Sequence, residues 1–81
     1  MPVPLQLFST LGCHLCEQAE AMLIATLPVD AYELEVVEIS NSDTLMAAYG
    51  VRIPVLRRAD TEIEIGWPFL PQDILQLAHS S

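Results

Sequence analysis

The spacing of apolar residues changes from a strand period to a helix period early in the chain. Residues 5–8 (LQLF) form a short apolar run that predicts a first strand. From Cys13 onward the period is helical, and Pro28 ends the helix because proline cannot continue the hydrogen-bond ladder. One face of this helix is predicted to be buried, and it carries Leu15, Ala19, Met22, Leu23 and Leu27.

A second strand and a short helix follow. Residues 32–39 alternate as a strand with two different faces does. Ser40 and Asp43 form an S-x-x-D pattern, close to a capping box, which predicts the start of a short helix through Tyr49. Gly50 is expected to end that helix in the left-handed conformation, which glycine adopts without steric cost.

The last third of the chain predicts a hairpin and a closing helix. Residues 54–57 and 61–65 are expected to pair as antiparallel strands, joined at residues 59–61, with arginines able to face glutamates. Residues 66–68 (GWP) break the second of these strands. Pro71 suits the first turn of the last helix, whose expected buried residues are Ile74, Leu75 and Ala78.

The predicted order of elements is β-α-β-α-β-β-α, an α/β fold with a four-stranded mixed sheet and three helices. Its first half is a βαβ unit, so its two strands should be parallel and joined by a right-handed crossover. A chain of 81 residues is expected to form one domain, residues 1–81, and its 52% hydrophobic content suffices for one core.

Acidic residues dominate the charge. The chain has 11 acidic residues against three arginines, no lysine, and a net charge of −8. Such a surface repels phosphate backbones and anionic lipid headgroups, so we expect neither nucleic acid nor membrane partners. No segment approaches the roughly 20 apolar residues that span a bilayer. Residues 1–4 also lack the basic start of a signal peptide. We therefore expect a cytoplasmic protein, and we expect it to be a monomer.

The candidate chemistry lies at Cys13 and Cys16, where the first predicted strand turns into the first helix. In the reducing cytosol, a closely spaced cysteine pair indicates catalysis or metal binding. Unpaired N–H groups and the dipole of a helix start favour a thiolate at Cys13, so its pKa should fall below the free value of about 8.5. Cys16 lies one turn deeper and can reach that sulfur. We predict that Cys13 is the nucleophile and Cys16 the resolving thiol.

Two neighbours of the cysteines have alternative interpretations. Protonated His14 would favour the Cys13 thiolate and make the pair more oxidising, or it is an exposed side chain tolerated by the turn. Glu17 adjoins Cys16, and it either accepts a proton during resolution or lies in solvent.

A proline and several aromatic residues form a second group of candidates. In residues 52–55 (RIPV), the proline opens a predicted strand without giving an N–H to the ladder. A cis bond would explain it, but the residues alone favour a trans proline, since only about 5–6% of X–Pro bonds are cis. Tyr49, Met46 and Phe69 are expected in the core, and Trp67 either packs there or lines a substrate groove.

The chain resembles the glutaredoxins of the thioredoxin-fold superfamily, and especially the small bacterial glutaredoxin-like proteins. The resemblance covers nearly the whole chain and rests on residues 13–16 (CHLC), 51–55 (VRIPV) and 66–67 (GW), in that order and spacing. It implies a thioredoxin-like fold and a disulfide oxidoreductase with Cys13 and Cys16 as catalytic residues. It also implies a cis Ile53–Pro54 bond and a substrate-binding set of Arg52, Ile53, Pro54, Gly66 and Trp67.

The resemblance also bears on substrate and cofactor. It implies that the backbone N–H and C=O of Ile53 pair with a peptide or with glutathione. No bound cofactor or metal is expected, with glutathione as one candidate reductant. Glutaredoxins commonly have Cys-Pro-Tyr-Cys, a lysine before it and a glycine pair near the C-terminus; here only Gly66 remains of that pair. Arg52 is the one cation expected near the site. A protein or small disulfide substrate is therefore expected at least as much as a glutathione mixed disulfide.

Two other functions remain open from the sequence. A metal or iron–sulfur cluster binder would have at most three ligands in Cys13, His14 and Cys16, whereas structural zinc takes four, so a dimer and glutathione would have to complete the set. A binding module that kept the fold and lost catalysis is favoured by the acidic surface and by the missing glutathione-binding residues.

Overall fold

The computed structural model describes residues 2–79, and their elements follow the predicted order β-α-β-α-β-β-α. A 3-10 turn, Ile39–Asn41, lies between the second strand and the second helix. Among residues 2–79, no helix combines the length and the apolar character that crossing a bilayer requires. The elements are β1 (Val3–Ser9), α1 (His14–Thr26), β2 (Tyr32–Glu38), α2 (Asp43–Tyr49), β3 (Val55–Arg58), β4 (Ile63–Gly66) and α3 (Pro71–His79).

The four strands form one mixed sheet in the order β2-β1-β3-β4. β1 and β2 are parallel, as predicted for the βαβ unit. β1 and β3 are antiparallel, and β3 and β4 form the predicted antiparallel hairpin. The order makes β1 and β3 the central strands, so the segments that leave β1 and enter β3 lie side by side.

The larger core fills the sheet face covered by α1 and α3. Leu5, Leu7 and Leu56 point from the central strands toward this side, and all three are buried. The helices and the segment before α3 complete the cluster with Ala19, Leu23, Leu27, Phe69, Ile74 and Leu77. The predicted core position of Phe69 is confirmed.

A smaller core lies on the opposite face, under the 3-10 turn and α2. It contains Phe8, Ile39 and Val55, with Tyr49 packed against them. The rings of Phe8 and Tyr49 stack with centroids 4.2 Å apart and planes 11° from parallel. α2 is thereby held over the end of β1 that leads to the cysteines.

A row of polar side chains crosses all four strands beside the smaller core. Gln6 accepts a hydrogen bond from Arg57 at 3.0 Å and donates one to Glu35 at 3.2 Å. Arg57 also lies 3.1 Å from the Glu62 carboxylate and 4.0 Å from that of Glu64. The expectation that hairpin arginines face its glutamates is confirmed for Arg57, which the register sets opposite Glu64. Arg58 instead lies opposite Ile63 and pairs with Asp60.

The buried stripe of α1 differs from the prediction by one position. Leu15 was expected in the core, but it is 44% exposed, whereas Cys16 is 3% exposed. Cys16, Ala19 and Leu23 share the face toward the sheet because they are spaced by three and four residues. The prediction for Leu15 is therefore wrong, and the deeper position predicted for Cys16 is confirmed.

The start and end of α2 also differ from the prediction. Ser42, not Ser40, caps the helix, since its Oγ accepts a hydrogen bond from the Leu45 N–H at 3.2 Å. Ser40 lies inside the 3-10 turn, which the sequence did not predict. Gly50 is right-handed, with φ −52° and ψ −37°. Met46 is exposed rather than buried, because a helix of seven residues covers only the small core beneath it.

The hairpin and α3 follow the prediction with small shifts. The turn extends through residue 62, so Thr61 belongs to the turn, and Glu62 has a φ of +63°. Pro71 begins α3 as predicted. Leu75 was expected to be buried but is exposed, and Leu77 takes its place in the core because it lies three residues after Ile74 on the same face.

Candidate functional site

Three segments meet at the edge of the sheet where β1 ends. The register pairs Phe8 with Val55, so the residue that enters β3, Pro54, lies beside the end of β1. Val55 in turn pairs with Gly66, and the Trp67 N–H donates a hydrogen bond to the Pro54 carbonyl at 3.1 Å. The loop that leads to the cysteines leaves the sheet at the same edge.

Cys13 is the N-cap of α1. Its backbone is extended, with φ −86° and ψ 103°, and its Sγ accepts a hydrogen bond from the Cys16 N–H at 3.2 Å. This N–H is one of the donors that have no intrahelical partner at a helix start. The sulfur therefore lies where both a backbone donor and the helix dipole favour negative charge.

Cys16 lies one helical turn further and is buried, while Cys13 is partly exposed. The two sulfurs are bonded as a disulfide, with Cα atoms 5.2 Å apart, a separation typical of disulfides. The exposed sulfur is thus the one that a substrate can approach, and the buried one is its internal partner.

His14 and Glu17 both point into solvent on the first turn of α1. Their side chains are 90% and 76% exposed, and His14 Nδ1 lies 3.6 Å from a Glu17 carboxylate oxygen. A charge this exposed acts on its surroundings through water, where it is screened. Tuning of Cys13 by His14 stays a prediction.

The cis-proline segment differs in one respect from what the resemblance implies. The Ile53–Pro54 bond is cis, as the resemblance implies, so the trans bond that the residues alone favoured is wrong. The Trp67–Pro68 bond is also cis, which the sequence did not indicate. The Ile53 N–H donates to the Tyr49 carbonyl at 3.1 Å. It therefore cannot pair with a substrate unless that hydrogen bond opens, and pairing through the Ile53 carbonyl stays a prediction.

Arg52 is already paired. Its guanidinium donates to a Glu64 carboxylate oxygen at 3.2 Å and lies 5.3 Å from the centre of the Tyr49 ring. The Tyr49 hydroxyl donates to the other Glu64 oxygen, and this hydrogen bond, together with partial burial, raises the pKa of Tyr49. An anionic substrate would have to compete with Glu64 for the Arg52 charge.

Gly66 and Trp67 differ in exposure. Gly66 is exposed, and a methyl group added to it would meet no atom within 4 Å. Trp67 is partly buried against the larger core, with its ring edge-on to Phe69 at 5.2 Å. Trp67 therefore packs against the core with part of its ring exposed, and its role in a substrate groove stays a prediction. The open space at this edge lies beside Gly66.

Apolar side chains flank the cysteines on the surface. Leu11 precedes the motif and is 92% exposed, and Leu15 lies between the two cysteines. Val51, two residues before Ile53, is also fully exposed. Such side chains offer contacts to an apolar partner and give little to a small, charged one.

Glu38, the last residue of β2, contacts the loop before the cysteines, although no sequence motif pointed to it. Its carboxylate accepts hydrogen bonds from the Leu11 and Ser40 N–H groups, each at 3.0 Å. The pKa of Glu38 is lowered chiefly by the Ser40 N–H, and next by the nearby Thr10 hydroxyl. The one signal in the sequence was an acidic residue at the end of a strand predicted to lie parallel to β1.

Metal-ligating residues do not cluster in the part of the chain that the structure describes. Within residues 2–79, no group of three or more His, Cys, Asp or Glu side chains is close enough to hold a metal ion. Among these residues, the redox motif therefore offers a metal ion no ligands beyond its own short segment.

Comparison with known proteins gives one family and several related structures. A family model described as a glutaredoxin-like domain (DUF836) matches residues 4–77. Among curated proteins, none matches the chain.

The related structures come from two bacteria. The X-ray structure of target protein XcR50 from X. campestris is 37% identical and covers 84% of this chain and 85% of its own, with a TM-score of 0.74. The solution structure of XcR50 is 35% identical over 95% of both chains, with a TM-score of 0.78. The solution NMR structure of Ne2328 from Nitrosomonas europaea is 33% identical and covers 93% of this chain and 88% of its own, with a TM-score of 0.77.

Proposed function

The chain belongs to the glutaredoxin-like domain family and has a thioredoxin-like fold, and from that premise we propose that it is a thiol–disulfide oxidoreductase. One observation carries the proposal. The partly exposed Cys13 sulfur caps α1 and accepts the Cys16 N–H, while the sulfur of Cys16 lies buried within bonding reach of it.

In the first step the Cys13 thiolate attacks one sulfur of a substrate disulfide. A bond forms between Cys13 Sγ and that sulfur, the substrate S–S bond breaks, and the other substrate sulfur leaves as a thiolate that takes a proton from water. The helix start supports this step, because it favours the thiolate over the thiol and so raises the fraction of protein that can attack.

In the second step Cys16 resolves the mixed disulfide. Its thiol loses a proton to solvent, its sulfur attacks Cys13 Sγ, and the remaining substrate sulfur leaves as a thiolate. The protein ends as the Cys13–Cys16 disulfide, and two electrons have passed to the substrate. Two thiols of an external reductant then restore the dithiol, and we propose glutathione as that reductant, leaving as its own disulfide.

We propose that the preferred substrate is a protein or peptide disulfide rather than a glutathione mixed disulfide. The pairing of Arg52 with Glu64 supports this, since glutathione is anionic and the chain carries a net charge of −8. Leu11 and Leu15 support it as well, because their exposed side chains offer apolar contacts beside the cysteines. The protein would act as a monomer in the cytoplasm, without nucleic acid or membrane partners.

The test compares Cys13→Ser with Cys16→Ser, a matched pair that removes one sulfur each. The full chain is reduced with dithiothreitol and freed of it, and turnover is then followed with glutathione as the reductant. The two probes are a disulfide-linked fluorescent peptide and the same peptide carrying a glutathione mixed disulfide. We expect Cys13→Ser to lower turnover of both probes to background. Cys16→Ser should accumulate a covalent adduct on Cys13 with the linked peptide, visible as added mass, because the resolving step is lost.

The outcomes separate the parts of the proposal. Full turnover by Cys13→Ser would overturn the oxidoreductase function. A higher kcat/KM on the glutathione probe than on the linked peptide would overturn the substrate preference while leaving the chemistry intact.

A second candidate is a thioredoxin-fold binding module without useful catalysis. The occupied Ile53 N–H favours it, since half of the backbone pairing that the family offers to a substrate is used internally. It predicts negligible turnover of both probes by the wild-type chain, although reduced dithiothreitol breaks its disulfide and oxidised dithiothreitol forms it again.

A further inference from the structure

We propose that Glu38 is a positioning residue for the redox motif, and that its carboxylate clamps the loop of residues 10–12 that carries Cys13. This inference deepens the proposed function and rests on it in one respect, that Cys13 is the attacking sulfur.

The clamp joins two segments that leave the sheet side by side. β1 and β2 are parallel, and their register ends with Ser9 opposite Glu38. One oxygen of Glu38 accepts the N–H of Leu11 at 3.0 Å, and the other accepts the N–H of Ser40 at 3.0 Å. The nearby Thr10 hydroxyl also helps to lower the pKa of this carboxyl group. One side chain therefore fixes the loop after β1 to the chain that follows β2.

The loop transmits this constraint to the sulfur through backbone hydrogen bonds. The Cys13 N–H donates to the Thr10 carbonyl at 3.3 Å, which closes a turn over residues 10–13. Gly12 lies within that turn at φ +77°, a conformation that glycine adopts readily. Cys13 Sγ then accepts the Cys16 N–H at 3.2 Å. A loop held in place keeps Cys13 in its capping conformation, and a loose loop lets the sulfur leave the helix start.

The loop has few other anchors among the contacts that the structure describes. Leu11 is 92% exposed, and Gly12 is exposed as well, so side-chain packing does little to hold this segment. Charge-assisted hydrogen bonds to backbone N–H groups are stronger than neutral ones and suit this task. We infer that the carboxylate supplies order that burial does not.

The experiment separates positioning from charge with two substitutions at one site. Glu38→Gln and Glu38→Ala both remove the negative charge, but glutamine keeps one acceptor oxygen and alanine keeps none. Glu33→Gln and Glu33→Ala are the matched controls, because Glu33 is an exposed residue of the same strand paired with Pro4, far from the loop. All are made in the full chain and reduced before measurement.

The main readout is the pH dependence of Cys13 alkylation by neutral iodoacetamide, with the modified cysteine located by peptide mass spectrometry. We expect Glu38→Ala to react about threefold to tenfold more slowly than Glu38→Gln at neutral pH, the change that corresponds to losing one hydrogen bond. The midpoint of its pH profile should lie higher than that of Glu38→Gln. The two Glu33 variants should match the wild type.

A second readout does not depend on thiol chemistry. Hydrogen exchange of the Leu11 N–H, measured by NMR on the oxidised protein, should be fastest in Glu38→Ala. Equal alkylation profiles for the alanine and glutamine variants would overturn the proposal, as would unchanged exchange at Leu11. A wild-type Cys13 that titrates like a free thiol would instead overturn the proposed function, so the two failures are distinguishable.

Discussion

Truncation of two leucines on the same helix should lower stability by very different amounts, although the periodicity predicts both in the core. Leu23 is 1% exposed against the larger core, whereas Leu15 is 44% exposed beside the cysteines. Leu23→Ala removes buried atoms and leaves a cavity, and Leu15→Ala removes atoms that already contact water. The pair therefore tests which face of α1 is packed against the sheet.

The expected magnitudes follow from burial. Truncating a fully buried leucine costs about 3 kcal/mol or more. An 81-residue domain has about 4–12 kcal/mol of stability in total, at roughly 0.05–0.15 kcal/mol per residue. Leu23→Ala should thus remove a quarter or more of the free energy of unfolding and lower Tm by about 12 °C or more. Leu15→Ala should cost about 1 kcal/mol or less, since full burial of such a side chain contributes only about 1.5–3 kcal/mol.

Urea unfolding of the oxidised proteins, followed by circular dichroism, measures both variants in the same disulfide state. The midpoint should fall strongly for Leu23→Ala and little for Leu15→Ala, with the m-value unchanged in both. Equal losses in the two variants, or a loss below about 1 kcal/mol for Leu23→Ala, would refute the assignment of the buried face.

Three further predictions concern the caps and the charged groups. Ser42→Ala should lower the free energy of unfolding by about 1 kcal/mol, the typical contribution of a helix cap. Ser40→Ala should stay within about 0.5 kcal/mol of wild type when both are measured by urea unfolding. A larger loss for Ser40→Ala than for Ser42→Ala would contradict the observed cap. Glu64→Gln should release Arg52 from its ion pair. The KM for a glutathione mixed disulfide should then fall about twofold to fivefold, the size expected for an exposed ion pair, while the KM for a peptide disulfide should not change. Equal changes in KM on both substrates would argue against the pairing of Arg52 with Glu64. Glu38 has a folded pKa below its ordinary value of 4.5, so its contribution to stability is present above that pH and is lost as pH falls through the lower folded value. As the pH falls below 4.5, the free energy of unfolding should therefore decrease less for Glu38→Gln than for the wild type. Acid unfolding curves that superimpose for the two proteins would contradict this.

The order of elements and the cysteine geometry were predictable because both depend on local signals. A change of apolar period, the proline that stops α1 and the spacing of Cys13 and Cys16 are all visible within a few residues. The exposed position of Leu15 was not, because burial in a first helical turn depends on where the sheet ends beneath it. Ser42 was passed over for Ser40 because the 3-10 turn that separates them has no clear sequence signal.

The contacts that tune the site were the least predictable. Glu38 lies 27 residues from Leu11 in sequence, and only the parallel register of β1 and β2 brings them together. The pairing of Arg52 with Glu64 likewise depends on the way the hairpin folds back toward α2. The internal hydrogen bond of the Ile53 N–H could not be anticipated from a resemblance, since it depends on where α2 ends in this chain.

The most direct test of the central claim is the reduction potential of the Cys13–Cys16 couple, measured by equilibrating the protein with glutathione buffers of known ratio. A dithiol whose first sulfur caps an exposed helix start should show a single two-electron transition between about −270 and −120 mV, the range of redox-active Cys-x-x-Cys proteins. A pair that stays oxidised to below about −300 mV would behave as a structural disulfide and would contradict the account.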